Sequence, residues 1–242
     1  MTPPERLARP LASRLAGLPA PLRDEAAEPL APPAFMRAAI EALSRGETHY
    51  ADRPGLGPLR DAVARDLNAR SGLNLTGAHI TITCGAAEAR FLVVRLLAKP
   101  GSLIVCPGEP AAAAGAAHLA GAQLVQGTNE WTNVSLIYLT PTGAAAERAA
   151  LLERALASEA FIVWDLALAE EKPAFNPAQR PELAARTLTI DELSPPLAGW
   201  RVGWIAGQPM VGPLRAFKQS MTIATTTVSQ WAALSLLEDH PQ

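Results

Sequence analysis

Between residues 79 and 165, short apolar runs alternate with helical stretches, and few architectures accommodate that order. The runs "HITIT", "SLIVC", "QLV", "VSLIYL" and "FIVWD" are bounded by turn residues and rich in branched or aromatic side chains, so each reads as a strand. Between them lie the helical stretches "GAAEARFLVVRLLAKPG", "EPAAAAGAAHLAGA" and "GAAAERAALLERALAS". Strands alternating with helices across short loops imply an α/β fold, a mostly parallel central sheet with helices on both faces. Two further strands, "RTLTI" and "VGWIAG", and a final helical region from about Met210 to Glu238 complete the pattern.

Upstream, "PPAFMRAAIEALSRG" reads as a helix started by its prolines and stopped at Gly46. In "LGPLRDAVARDLNARSG" the spacing puts Leu56, Leu59, Val63 and Leu67 on one helical face, with Gly72 as the stop. Residues 1–33, dominated by proline and alanine without clear periodicity, read as an N-terminal arm, and residues 34–242 as one large domain. The hydrophobic fraction of 49% is enough to fill the core of such a domain.

A net charge of −2 points to neither a nucleic-acid nor a membrane partner. There is no basic-then-apolar leader and no bilayer-length apolar run, so a cytoplasmic protein is expected. Cys84 and Cys106 are too far apart in sequence for a metal pair and are expected as reduced, buried thiols. No metal site is expected. Lysine occurs only at Lys99, Lys172 and Lys218, while arginine is abundant; arginine can replace lysine as a surface charge but not as an amine nucleophile.

In a sheet of this kind ligands bind beyond the carboxyl ends of the strands, so residues there carry the candidate chemistry. Gly85 in "TCGAAEA" permits a tight strand-to-helix turn, after which the N–H groups of Ala86 and Ala87 either hold a phosphate or simply begin a helix. Asp165 closes an apolar strand, where it caps a turn or pairs with a cation such as a protonated ring nitrogen. "TPTG", Thr140 to Gly143, fits a turn with Thr142 as helix N-cap. Arg201, held between glycines in Gly199-Trp200-Arg201-Val202-Gly203, suits an anion or a surface contact.

In order along the chain, "HYADRPGLGPLRDAVA", "ITITCGAAEA", "IYLTPTG", "FIVWDLAL" and "TLTIDELSPPLAGWRVGW" resemble the motifs of the class I/II aminotransferases, pyridoxal-phosphate (PLP) enzymes of fold type I. The resemblance runs from about residue 30 to the last residue. It implies the large domain of that fold, with the small C-terminal domain missing. It also implies a cofactor frame made by Tyr50, the Gly85 turn with Ala86 and Ala87, Thr140, Asp165 and Arg201. Arg201 and the Gly85 helix end correspond to the phosphate site, and Asp165 to the partner of the ring nitrogen.

The same resemblance argues against the chemistry. Counted back from Gly199, the lysine that tethers the cofactor and moves the proton falls at Leu193, or at Ser194 in a shorter loop. The expected asparagine is Thr140, the expected tyrosine is Leu168, and alanines fill the stretch where a ring-stacking aromatic belongs. No catalytic residue is therefore assigned. PLP is expected to be absent or bound without a covalent link, with phosphate or sulfate able to take its place as a small anionic ligand.

The resemblance implies a homodimer in which Tyr50 reaches the neighbouring subunit. The favoured expectation is a catalytically inactive, degenerate family member, a pseudoenzyme. The alternatives are a residual enzyme using non-covalent PLP or pyridoxamine phosphate, and a non-catalytic partner of an active homologue. Lys218 is expected as an exposed helix lysine, not as a replacement amine.

Overall fold

The structure is a computed structural model that describes residues 31–239 except 109, 110, 128, 130, 143, 170, 194, 209 and 210. Most of the expected N-terminal arm thus lies outside the described residues. The strands are β1 (Ile80–Thr83), β2 (Leu103–Val105), β3 (Gln123–Val125), β4 (Val134–Leu139), β5 (Phe161–Asp165), β6 (Thr187–Glu192) and β7 (Gly203–Ala206). The main helices are α1 (Pro33–Ser44), α2 (Gly57–Ser71), α3 (Gly85–Leu97), α4 (Ala111–Ala120) and α5 (Ala145–Leu156). They are followed by a short α6 (Pro181–Ala184), then α7 (Val211–Met221) and α8 (Thr227–Asp239).

The seven strands of the described residues form one sheet in the order β1-β7-β6-β5-β4-β2-β3. Neighbours from β6 to β3 run parallel, and β7 is antiparallel to both β1 and β6. The period-two alternation of a strand decides what each side chain meets. Ile137, Leu139, Ile162 and Trp164 pack with α1, α2, α5 and α8 on one face. Leu136, Tyr138, Val163 and Ile190 pack with α3, α4 and Leu214 of α7 on the other. The expected α/β architecture, covered on both faces, is what forms.

Local departures from the expectations have identifiable causes. Leu56 precedes α2 as its N-cap residue, because Pro58 favours the first helical turn; Leu59, Val63 and Leu67 do form the buried stripe. The single C-terminal helical region divides into α7 and α8, because Ile223 adopts φ 60° in the connecting turn and ends the first helix. Thr142 does not cap α5. That helix starts behind Ala144 without a side-chain cap, and the Thr142 hydroxyl instead shares a hydrogen bond with the Thr140 hydroxyl at 2.8 Å.

Lys218, expected to be exposed, is fully buried. Its Nζ lies 3.1 Å from the Thr222 hydroxyl and 3.6 Å from Glu88 Oε1. Cys84 is half-buried rather than buried, Cys106 is buried, and the two do not form a disulfide. Among the described residues no helix is long and apolar enough to cross a membrane, and no group of three or more histidine, cysteine, aspartate or glutamate side chains is placed to hold a metal ion.

Candidate functional site

The register of three strands assembles one half of the site. Thr83 at the end of β1, Gly203 at the start of β7 and Glu192 at the end of β6 stand in one row across the sheet. The central residue of that row has no side chain, so the Gly85 turn and the end of β6 can approach each other above it. A methyl group on Gly203 would lie 2.7 Å from the Gly85 carbonyl carbon and 2.9 Å from the Ala86 nitrogen. Gly203 therefore holds β7 against the turn, where any Cβ would force the two backbones apart.

Gly85 itself has φ 73°, which favours glycine, and a methyl group there would fall 2.6 Å from the Arg201 guanidinium. Arg201 lies over the turn and donates from Nη2 to the Cys84 carbonyl at 2.9 Å. Its backbone is in the left-handed region at φ 56°, unfavourable for an arginine by about 1–2 kcal/mol, and its N–H donates to the Ala198 carbonyl. The sequence-predicted partners Gly85, Ala86 and Arg201 are thus brought together.

The Ala86 N–H, one of the free donors at the start of α3, donates to Glu192 Oε2 at 2.8 Å. A carboxylate at this position faces the positive end of the helix dipole, which favours an anion. Ala87 is exposed at the same turn.

Asp165 forms the other half. It is fully buried on the α3 side of the sheet. Arg90 of α3 donates to it from Nε at 2.6 Å and from Nη2 at 3.4 Å. The Tyr138 hydroxyl and the Ala167 N–H, the latter at 3.0 Å, supply two more donors, so both carboxylate oxygens are engaged. Burial works against the charged form of Arg90, but the Asp165 hydrogen bond and charge outweigh it and its pKa is raised. Burial, reinforced by the Asp165 charge, holds the Tyr138 phenol well above its ordinary value, so it remains a donor.

The remaining sequence-predicted residues lie around this core. Thr140 is buried against Gly108, where its hydroxyl would lie 2.6 Å from a methyl group on that glycine. Leu193 follows β6 and belongs to the hydrophobic core at 6% exposure, while Ser194 lies outside the described residues. Tyr50 is 80% exposed and lines the cleft formed with the loop between α7 and α8.

Glu192 enters the sequence reading only within the quoted stretch "TLTIDELSPPLAGWRVGW", and Arg90 and Tyr138 were missed altogether. The available signal for Arg90 was a basic residue in an otherwise largely apolar helical stretch, "EARFLVV".

No protein-family model matches the chain. It is similar to the arginine–pyruvate transaminase of Pseudomonas aeruginosa, 30% identical over 209 residues that cover 73% of this chain and 52% of that protein. A probable N-succinyldiaminopimelate aminotransferase of Mycobacterium tuberculosis is 29% identical over 226 residues, covering 79% of this chain and 56% of that one. The chain thus spans about half the length of these curated relatives.

Among solved structures, a single mutant of Thermus thermophilus aspartate aminotransferase superimposes with a TM-score of 0.77 at 22% identity, covering 99% of this chain and 71% of that one. Rhizobium meliloti aspartate aminotransferase gives the same TM-score and identity, covering 100% and 69%. At that identity the likeness speaks for the fold.

Proposed function

The chain belongs to the class I/II aminotransferase family of fold type I, and we propose that within it this is a member that does not itself carry out PLP-dependent amino transfer. The observation that carries the reading is Leu193. Counted back from Gly199 the tethering lysine falls at Leu193, or at Ser194 in a shorter loop; neither side chain carries an amine, and Leu193 is packed into the core at 6% exposure.

The other residues of the frame do not fit the cofactor either. A protonated ring nitrogen needs a carboxylate lone pair, and both Asp165 oxygens are engaged by Arg90, Tyr138 and Ala167. A phosphate needs the free N–H groups at the start of α3, and that of Ala86 donates to Glu192. A second anion beside Glu192 would add like-charge repulsion.

The test is direct. Incubated with PLP, the purified protein should show no new absorption band near the visible edge and no borohydride-reducible adduct by mass. A reducible adduct overturns the reading.

The family's assembly is part of the same proposal: the protein is a homodimer. In support, Tyr50 is 80% exposed, and Met36, Ile40 and Leu43 leave an apolar stripe exposed along α1. Light scattering at micromolar concentration should give twice the chain mass; a monomer would contradict the proposal.

A further inference from the structure

We propose that Glu192 and Arg90 are resident substitutes for the two charged ends of the family's ligand, the carboxylate seated in the anion cup and the guanidinium seated on Asp165. The inference rests on the reading above and goes further: the site is not open but filled by the chain itself. Each substitute has the sign of the group it replaces. A carboxylate oxygen accepts the Ala86 N–H at 2.8 Å, as a phosphate oxygen would, and a planar N–H donor at 2.6 Å meets Asp165, as a protonated ring nitrogen would.

Two observations tie the substitutes together as one device. Both side chains converge on α3, Glu192 accepting from the N–H of Ala86 in its first turn and Arg90 reaching Asp165 from its second, and the Glu192 charge adds to the larger effect of Asp165 in favouring the charged guanidinium. Gly203, the bare residue between β1 and β6, leaves the gap across which the Glu192 side chain reaches α3. Burial explains why substitutes are needed. With no ligand to supply a cation, the fully buried Asp165 would stand uncompensated, and the fold must provide that charge itself.

The experiment uses inorganic phosphate, which carries no aldehyde and so separates this inference from the lysine argument. Thermal unfolding is followed against phosphate, with chloride at matched ionic strength as the control. The wild-type Tm should not respond to phosphate. Glu192→Ala should lower Tm in chloride by about 2–6 °C and recover it saturably in phosphate. Adding Arg201→Ala to that variant should abolish the recovery.

Saturable stabilisation of the wild type by phosphate would overturn the proposal, as would a Glu192→Ala protein that is neither weakened nor phosphate-responsive. The wild-type titration decides even where the variant fails to fold. An adduct with PLP but no response to phosphate would remove the reading above while leaving the Glu192 result standing.

Discussion

Replacing Arg90 by leucine should destabilise the protein by about 3–5 kcal/mol, because it leaves the Asp165 carboxylate buried without a cation. Asp165 is fully buried and Arg90 is only 15% exposed, so water cannot take over the role of the guanidinium. Tyr138 and Ala167 would remain as donors, but they carry no charge to offset that of the carboxylate. In a chain of this length the loss corresponds to a fall of about 6–20 °C in Tm. Asp165→Asn in the Arg90→Leu background should recover much of it, since the uncompensated charge is then gone. Calorimetry on the two single variants and the double variant measures the coupling. A cost for Arg90→Leu no greater than that of an ordinary surface substitution, under about 0.5 kcal/mol, would show that Asp165 does not depend on this arginine.

Why the Arg90–Asp165 pair escaped sequence reading shows where such reading stops. Strand positions follow from hydrophobic period, and "VSLIYL" and "FIVWD" became β4 and β5 because alternate residues of each meet different helical layers. The same period puts Tyr138 and Asp165 on one face, which is deducible once the strands are placed. Which side chain of α3 faces Asp165 depends on the roll of that helix on the sheet, and no local pattern sets it. Glu192 is similar: its reach to Ala86 requires β7 to be inserted antiparallel between β1 and β6, a long-range pairing. The Gly85–Arg201 approach was legible because both ends carry a local mark, a glycine at a strand-to-helix turn and an arginine held between glycines. Thr142 misled because a threonine before a helix suits a cap, yet the nearby Thr140 hydroxyl competes for it at 2.8 Å.

Lys218 is the other place where a local reading failed, and it carries the second large effect. An isolated lysine on a helix ordinarily extends into water, and only the tertiary fold shows that this one is sealed beneath α3. Its partner, Glu88, is nearly as buried. Glu88 accepts the Cys84 N–H at 2.5 Å and the Thr222 hydroxyl at 2.5 Å, so one carboxylate binds the Gly85 turn to the end of α7. The same carboxylate, after burial itself, raises the pKa of the Cys84 thiol. The Lys218 amine is held between Glu88 and Thr222, at 3.6 and 3.1 Å. Lys218→Met should therefore cost about 3–5 kcal/mol, since the hydrocarbon volume is kept while a buried carboxylate loses its cation. Glu88→Gln in the same background should return a substantial part of that loss. If Lys218→Met unfolds within about 2 °C of wild type, the junction does not depend on the ion pair. Hydrogen exchange gives an independent readout: the Cys84 amide should lose protection in Glu88→Ala, in which its acceptor is absent, and keep it in Lys218→Met, in which the acceptor remains.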